Sequence, residues 1–228
     1  METTDKRRRC TARCYAARAL IDEIDPEKQP LDSETTAILA ERAKRELRKR
    51  ARGVRAGIPK AALLERSRAL VARLKELPSV ASARTVALFH PIEEKREVDL
   101  RELDVELRAR GVSVCYPSFD AERNMSFKDP GSLEQLIDRG NGFLEPEESL
   151  PAAASLDVIV VPALLVDPRG YRLGYGGGFY DRTLPLYCPP ALAVCVVYDF
   201  QLAAELPTSA RDVKVGLVVT DRRVLPVE

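Results

Sequence analysis

The chain has 228 residues, 45% of them hydrophobic, and is nearly neutral, with 36 Lys/Arg against 35 Asp/Glu. That is enough apolar material for one α/β domain with a proper core, and the lack of a strong positive balance argues against a nucleic-acid-binding core. No apolar run approaches the ~18 residues of a membrane span, and no signal-peptide core is visible. Residues 1–40 read as a basic N-terminal extension. Lys6-Arg7-Arg8-Arg9 opens a stretch of helical character to about Ile24, Pro26 and Pro30 interrupt it, and Asp32-Ser33 is a candidate helix cap. We take this extension as solvated chain, with residues 41–228 as the main domain.

From there the pattern is regular. Residues 34–52 read as a highly charged helix closed by Gly53. Pro59 suits the first turn of a second helix, with Leu63, Leu70, Val71, Leu74 and Leu77 on one face. A strand at 85–89 is followed by a helix carrying Leu100, Leu103 and Leu107 that ends at Gly111, then by a strand at 112–116. A short helix near 132–138 precedes a strand at 158–161. Further strands at 193–198 and 215–220 complete the series. Strands separated by helices predict a mainly parallel sheet covered on both faces, with ligands gathering at the carboxyl ends of the strands.

Between the strand at 158–161 and the next helix, a polar turn at Asp167-Pro168-Arg169-Gly170 leads into Arg172-Leu173-Gly174-Tyr175-Gly176-Gly177-Gly178-Phe179-Tyr180-Asp181-Arg182. Closely spaced glycines permit unusual dihedrals and clear side chains away from a ligand. A helix starting near Gly177 would point free amides into the turn and favour an anion there. An arginine before the loop and an aspartate after it add the charges that phosphate and a divalent cation need. The loop lacks the Gly-Lys-Ser/Thr of a Walker A motif. It fits a dinucleotide fingerprint only if the position of the acidic ribose partner is ignored.

The five cysteines have no zinc or redox spacing. Cys10 and Cys14 lack a histidine partner, Cys115 and Cys195 fall in predicted strands, and Cys188 precedes Pro189-Pro190. An odd number of such thiols suits a reducing, cytoplasmic setting.

The full string from Arg172 to Arg182, with Pro162 and Arg169-Gly170-Tyr171 ahead of it, resembles the signature of the 5-formyltetrahydrofolate cyclo-ligases, also called methenyltetrahydrofolate synthetases. Further landmarks follow in the family's order over roughly residues 41–225. Lys44-Arg45-Glu46-Leu47-Arg48 fits a helical Lys-x-x-x-Arg pattern, and Glu97-Val98-Asp99 follows the first strand. A second strand ends at Tyr116-Pro117, and Asn141-Gly142-Phe143-Leu144-Glu145-Pro146 looks like a Gly-x-x-Glu-Pro element. Leu206-Pro207 then precedes Arg211-Asp212.

The resemblance implies a three-layer α/β/α fold related to sugar-phosphate isomerase and CoA-transferase domains. It also implies ATP- and Mg2+-dependent closure of 5-formyltetrahydrofolate to 5,10-methenyltetrahydrofolate. The implied ATP site comprises Lys44, Arg45, Glu46, Leu47 and Arg48, with Arg172, Leu173, Gly174, Tyr175, Gly176, Gly177, Gly178, Phe179 and Tyr180. The folate would meet His90, Glu97 and the loop from Tyr175 through Gly176, Gly177 and Gly178 to Phe179. Asp181 and Asp212 are the implied Mg2+ ligands. ATP and the folate are the expected partners of a monomer that binds neither nucleic acid nor membrane. The segment Pro91-Ile92-Glu93-Glu94-Lys95-Arg96 is longer than usual in the family, so Glu93 or Glu94 is an alternative to Glu97. It also supports a second reading, a non-catalytic relative that binds nucleotide or folate without turnover.

Overall fold

The structure, a computed structural model, describes residues 32–227. The basic stretch, Cys10, Cys14 and the proline-interrupted segment to Pro30 lie outside the described residues. One compact unit begins at Leu39. The first described helix, α1 (Ser33–Gly57), is capped by Asp32, whose Oδ1 accepts the Thr35 amide at 2.8 Å. It runs through Gly53 rather than stopping there. An interior glycine costs a helix only ~1 kcal/mol, whereas Pro59 disfavours helical geometry at Ile58, so the break falls after Gly57.

Helix α2 (Lys60–Glu76) buries Leu63, Ser67, Leu70, Val71 and Leu74, as its periodicity predicts, and a short α3 (Pro78–Ala81) follows. After β1 (Thr85–Ala87) and a 3-10 turn at Glu93–Lys95 comes α4 (Arg101–Ala109), which buries Leu103 and Leu107. Strand β2 (Ser113–Phe119) is longer than its apolar run suggested. It continues past Pro117 to pair antiparallel with β3 (Met125–Lys128), a strand the sequence did not signal. Pro117 is tolerated because β1 pairs with β2 only as far as Cys115, leaving that edge of the strand without a ladder partner.

The helix expected near 132–138 is a correction. Only a 3-10 turn forms at Leu133–Gln135, and the chain then enters β4 (Ile137–Asp138), paired with β5 (Leu144–Glu145). Strand pairing at 137–138 leaves too few residues for an α-helix. Next come β6 (Val158–Pro162), the hairpin β7 (Leu165–Val166) and β8 (Arg172–Leu173), α5 (Phe179–Tyr187) and β9 (Leu192–Val196). Strands β10 (Leu217–Val219) and β11 (Val224–Pro226) end the fold.

The main sheet has the order β11–β10–β9–β6–β1–β2–β3. The inner five strands are parallel, and β3 and β11 are antiparallel edges. The apolar run of β6 alternates between two cores: Val158 and Val160 face α2 and α4, while Ile159 and Val161 face Leu184 of α5. This is the three-layer, mostly parallel α/β arrangement the sequence implied. Burial pushes the thiols of Cys115 and Cys195, which lie within it, up to about 11 and about 12. From β1 the chain moves to β2 on one side and later returns to β6 on the other. The carboxyl ends of β1 and β6 therefore flank the point where strand order reverses, where a crevice forms in such sheets.

Candidate active site

Two segments leave that crevice. One follows β1 and carries His90 to Asp99, and the other follows β6 and carries the glycine loop. Helix α1 lies against the loop through one face. Lys44, Arg48, Ala51 and Arg55 recur at helical spacing, and Lys44 and Arg55 are only 5% and 3% exposed. Lys44 Nζ donates to Asp212 Oδ2 at 2.6 Å. Arg48 Nε donates to the Gly174 carbonyl at 3.1 Å, and its guanidinium lies beside Gly176. Arg55 donates to the Tyr175 hydroxyl. Arg45 and Glu46 sit on the exposed side of the helix, and Leu47 is half-buried beside Phe200.

The turn ahead of the loop is built on Asp167, which is fully buried. It accepts the amides of Arg169, Tyr171 and Leu206 at 3.0–3.1 Å, and the Arg169 guanidinium balances its charge. The loop proper, 174–178, ends at Gly178, the N-cap of α5, with φ of 64°. Gly177 has no room for a side chain, since a Cβ there would come within 2.5 Å of the Phe179 ring. That ring packs edge-on against Phe119 (centroids 4.6 Å apart), which meets Phe143 at 5.5 Å. The Arg123 and Arg182 guanidinium groups lie over Phe179 at 5.5 and 5.1 Å.

Asp181 stands in the first turn of α5. Its Oδ1 accepts from Arg172 Nη2 at 2.8 Å and from the Val213 amide at 3.1 Å. Asp212 is tied down through Oδ2, which accepts from Lys44, from the Ser209 amide at 2.6 Å and from the Ser209 hydroxyl at 3.2 Å. Burial opposes ionisation of Asp212, but hydrogen bonds from Lys44 and Ser209 outweigh it and hold its pKa below the usual value. In each carboxylate these bonds engage one oxygen and leave the other out. Both are hard oxygen donors of the kind Mg2+ takes, and among the described residues no group of three His, Cys, Asp or Glu forms an all-protein cage. The donor set thus suits a cation shared with phosphate oxygens and water.

Glu97 approaches from the other segment. Its Oε2 accepts the Ile92 amide at 3.0 Å. Tyr175 and Tyr180 both register its charge: burial raises their phenol pKa values most, and the carboxylate raises them further. Glu93 pairs with Arg101 at 3.2 Å and lines the same cleft as Glu97, while Glu94 is exposed. The longer segment is fastened by Arg96, which has φ of 53° and donates to the Ala56 and Ile58 carbonyls at the end of α1. That places Lys95 Nζ 4.5 Å over the Tyr175 ring. His90 lies among Asp99, Glu93 and Arg101; burial, then Arg101, lower its pKa, so it is neutral at pH 7. A cleft of about 260 Å3 opens beside Glu97, with Ser67, Arg101 and Tyr198 in its walls.

Arg55, Lys95, Phe119 and Phe143 were not anticipated as site residues. Arg55 had a signal, because it continues the spacing of Lys44, Arg48 and Ala51. The aromatic cluster had none, since it forms only across β2, the β5 approach and the glycine loop. Glu145 of the Gly-x-x-Glu-Pro element is fully buried and accepts the Phe119 amide at 2.9 Å and Asn141 Nδ2 at 2.5 Å. It braces this cluster from behind.

The model of the 5-formyltetrahydrofolate cyclo-ligase family matches residues 40–221. The chain is 37% identical over 153 residues to the 5-formyltetrahydrofolate cyclo-ligase of Mycolicibacterium smegmatis, covering 62% of this chain and 76% of the relative. It is 32% identical over 159 residues to that of Escherichia coli K12, covering 67% and 86%. The NMR structure of Aquifex aeolicus 5,10-methenyltetrahydrofolate synthetase matches with a TM-score of 0.72 at 32% identity, over 81% of this chain and 93% of that one. The matched span runs from the cationic face of α1 to the end of the last parallel strand and includes the glycine loop and both aspartates, so the chain belongs to the 5-formyltetrahydrofolate cyclo-ligase family.

Proposed function

We infer that this chain cyclises 5-formyltetrahydrofolate to 5,10-methenyltetrahydrofolate, consuming ATP with Mg2+ and releasing ADP and phosphate. The observation that carries the reading is that one helix face brings Arg48 and Arg55 onto the loop 174–176 and Lys44 onto Asp212, with Glu97 beside Tyr175. Cations and loop amides suit a polyphosphate, and a carboxylate suits the N–H edge of a pterin.

The formyl oxygen is a poor leaving group. Its attack on the γ-phosphorus breaks the bond to ADP and makes a phosphorylated formyl group. N10 then attacks the activated carbon, phosphate leaves with the C–O bonding pair, and N10 gives up its proton. No protein nucleophile is needed. The work falls to positioning and charge neutralisation. Lys44 and Arg48 hold phosphate oxygens, Lys44 exchanging Asp212 for the nucleotide. Glu97 orients the pterin, and Tyr175 and Phe179 offer ring surfaces to it. Asp181 and Asp212 would hold Mg2+ through their outlying oxygens, and that ion would shield the β- and γ-phosphate charge. Action as a monomer in the cytoplasm belongs to the same reading; among the described residues no helix is long and apolar enough to cross a membrane.

The test is an absorbance assay with purified protein, 5-formyltetrahydrofolate, ATP and Mg2+, following the near-ultraviolet band of the methenyl product with ADP measured in parallel. Growth of the band that requires both ATP and Mg2+ supports the reading. ATP binding without the band identifies a non-catalytic relative.

A further inference from the structure

Arg172 opens the glycine-loop signature, where the resemblance expects a phosphate contact. Its guanidinium is placed for a different task. The side chain is 4% exposed and turned inward, and its charge is felt by Cys195 in the core and by the half-buried Tyr180 and Cys188 packed against that core. Nη2 donates to Asp181 Oδ1 at 2.8 Å and Nη1 to the Val213 carbonyl at 2.6 Å. The same Asp181 oxygen accepts the Val213 amide at 3.1 Å. Residue 213 is thus gripped at both its N–H and its C=O by one ion pair, and its neighbour in the chain is Asp212.

We propose that Arg172 is a positioning residue that locks Asp181 and the backbone beside Asp212 into one rigid unit, fixing the two carboxylates for a shared divalent cation. It does not contact phosphate. This rests on the nucleotide reading above. A buried guanidinium already committed to a carboxylate and a carbonyl has little reason to leave them, because exposing it to a ligand would take the counter-charge from Asp181 and the side-chain donor from the Val213 carbonyl. The planar fork is what lets one side chain serve both acceptors, and a lysine cannot reproduce it.

The experiment is calorimetric titration of ATP, without folate, into wild-type protein and Arg172→Lys, once with EDTA and once with Mg2+. The proposal expects metal-free ATP affinity within about twofold of wild type, and loss of about tenfold or more in the strengthening of ATP binding by Mg2+, as outer-shell partners of metal ligands give. A drop of about tenfold in metal-free affinity would reveal a phosphate contact and overturn the proposal, and so would a variant equal to wild type in both titrations. Should the variant not fold, arginine modification of the wild type by phenylglyoxal, mapped by mass spectrometry, decides. Arg172 is expected to stay unmodified with or without ATP, whereas ATP-suppressed modification of Arg172 refutes the idea. Protection of Arg48 by ATP serves as the control. A wild type that binds no ATP in either titration fails the nucleotide reading itself, and the positioning role toward a nucleotide-bound cation falls with it.

Discussion

Lys44 and Arg55 are buried cations on a helix whose basic residues outside this face are exposed, and burying either without a partner is costly. Lys44 finds its counter-charge in Asp212, which places an ammonium where it can pass to a nucleotide phosphate. Lys44→Met is expected to lower kcat/KM for ATP by about 10²–10³, the usual loss when one stabilising donor of a charge-developing site is removed, with the circular dichroism spectrum unchanged. Arg55 meets the nucleotide loop at Tyr175, through its hydroxyl and its ring, on the side where Glu97 sits. Arg55→Ala should therefore raise KM for the folate by about tenfold, the loss of one charged hydrogen bond, and leave the ATP KM within about twofold. A matched rise in both constants would show Arg55 to be a phosphate ligand instead.

At the scale of elements, the β7–β8 hairpin fixes where the glycine loop begins. Its turn relies on Gly170, with φ of +84°, where a Cβ would lie 2.7 Å from the Val215 carbonyl and 2.8 Å from a Val227 methyl. The Gly170 carbonyl also accepts the Val215 amide at 3.0 Å, stitching the turn to the strand that follows Asp212. Gly170→Ala is expected to destabilise the protein by about 1–3 kcal/mol, read as a lowered urea midpoint at constant slope. The β5 approach offers a contrasting case. Glu145→Ala leaves the Phe119 amide and the Asn141 side-chain amide without their buried acceptor, a loss of about 1–3 kcal/mol, whereas Glu145→Gln keeps an acceptor for the Phe119 amide and should recover part of it. Equal urea midpoints for the two variants would contradict this account.

For the whole molecule, pH dependence follows from its aspartates and from His90. Hydrogen bonds to Asp212, from Lys44 and Ser209, lower its pKa against the effect of burial; those to Asp129, from Ser113, Gly131 and Arg108, do the same; and Arg223 lowers that of Asp199. Each has a folded value below its unfolded one of about 3.9, so its contribution is complete above that pH and is lost as pH falls through the folded value. Urea midpoints should begin to decline below about pH 6.5, where His90 protonates more readily in the unfolded chain, and fall further below about pH 4, less steeply there for Asp212→Asn.

Much of this was legible in the chain. The run Val158 to Val161 announced a buried strand, and the leucine spacings of α2 and α4 announced the faces that cover it, because apolar periodicity is imposed by local geometry. The glycine string, read in the family's register together with Lys44 and Arg48, marked the candidate site, since such motifs are strung along the chain in a fixed order. Sequence by itself thus determined the layers, the loop and the family. Only the tertiary structure decided that Phe119 and Phe143 close on Phe179 and that Arg172 turns inward to Asp181 and Val213. Those outcomes depend on which distant segments share the crevice between β1 and β6, and contacts between residues tens of positions apart leave no periodic trace along the chain.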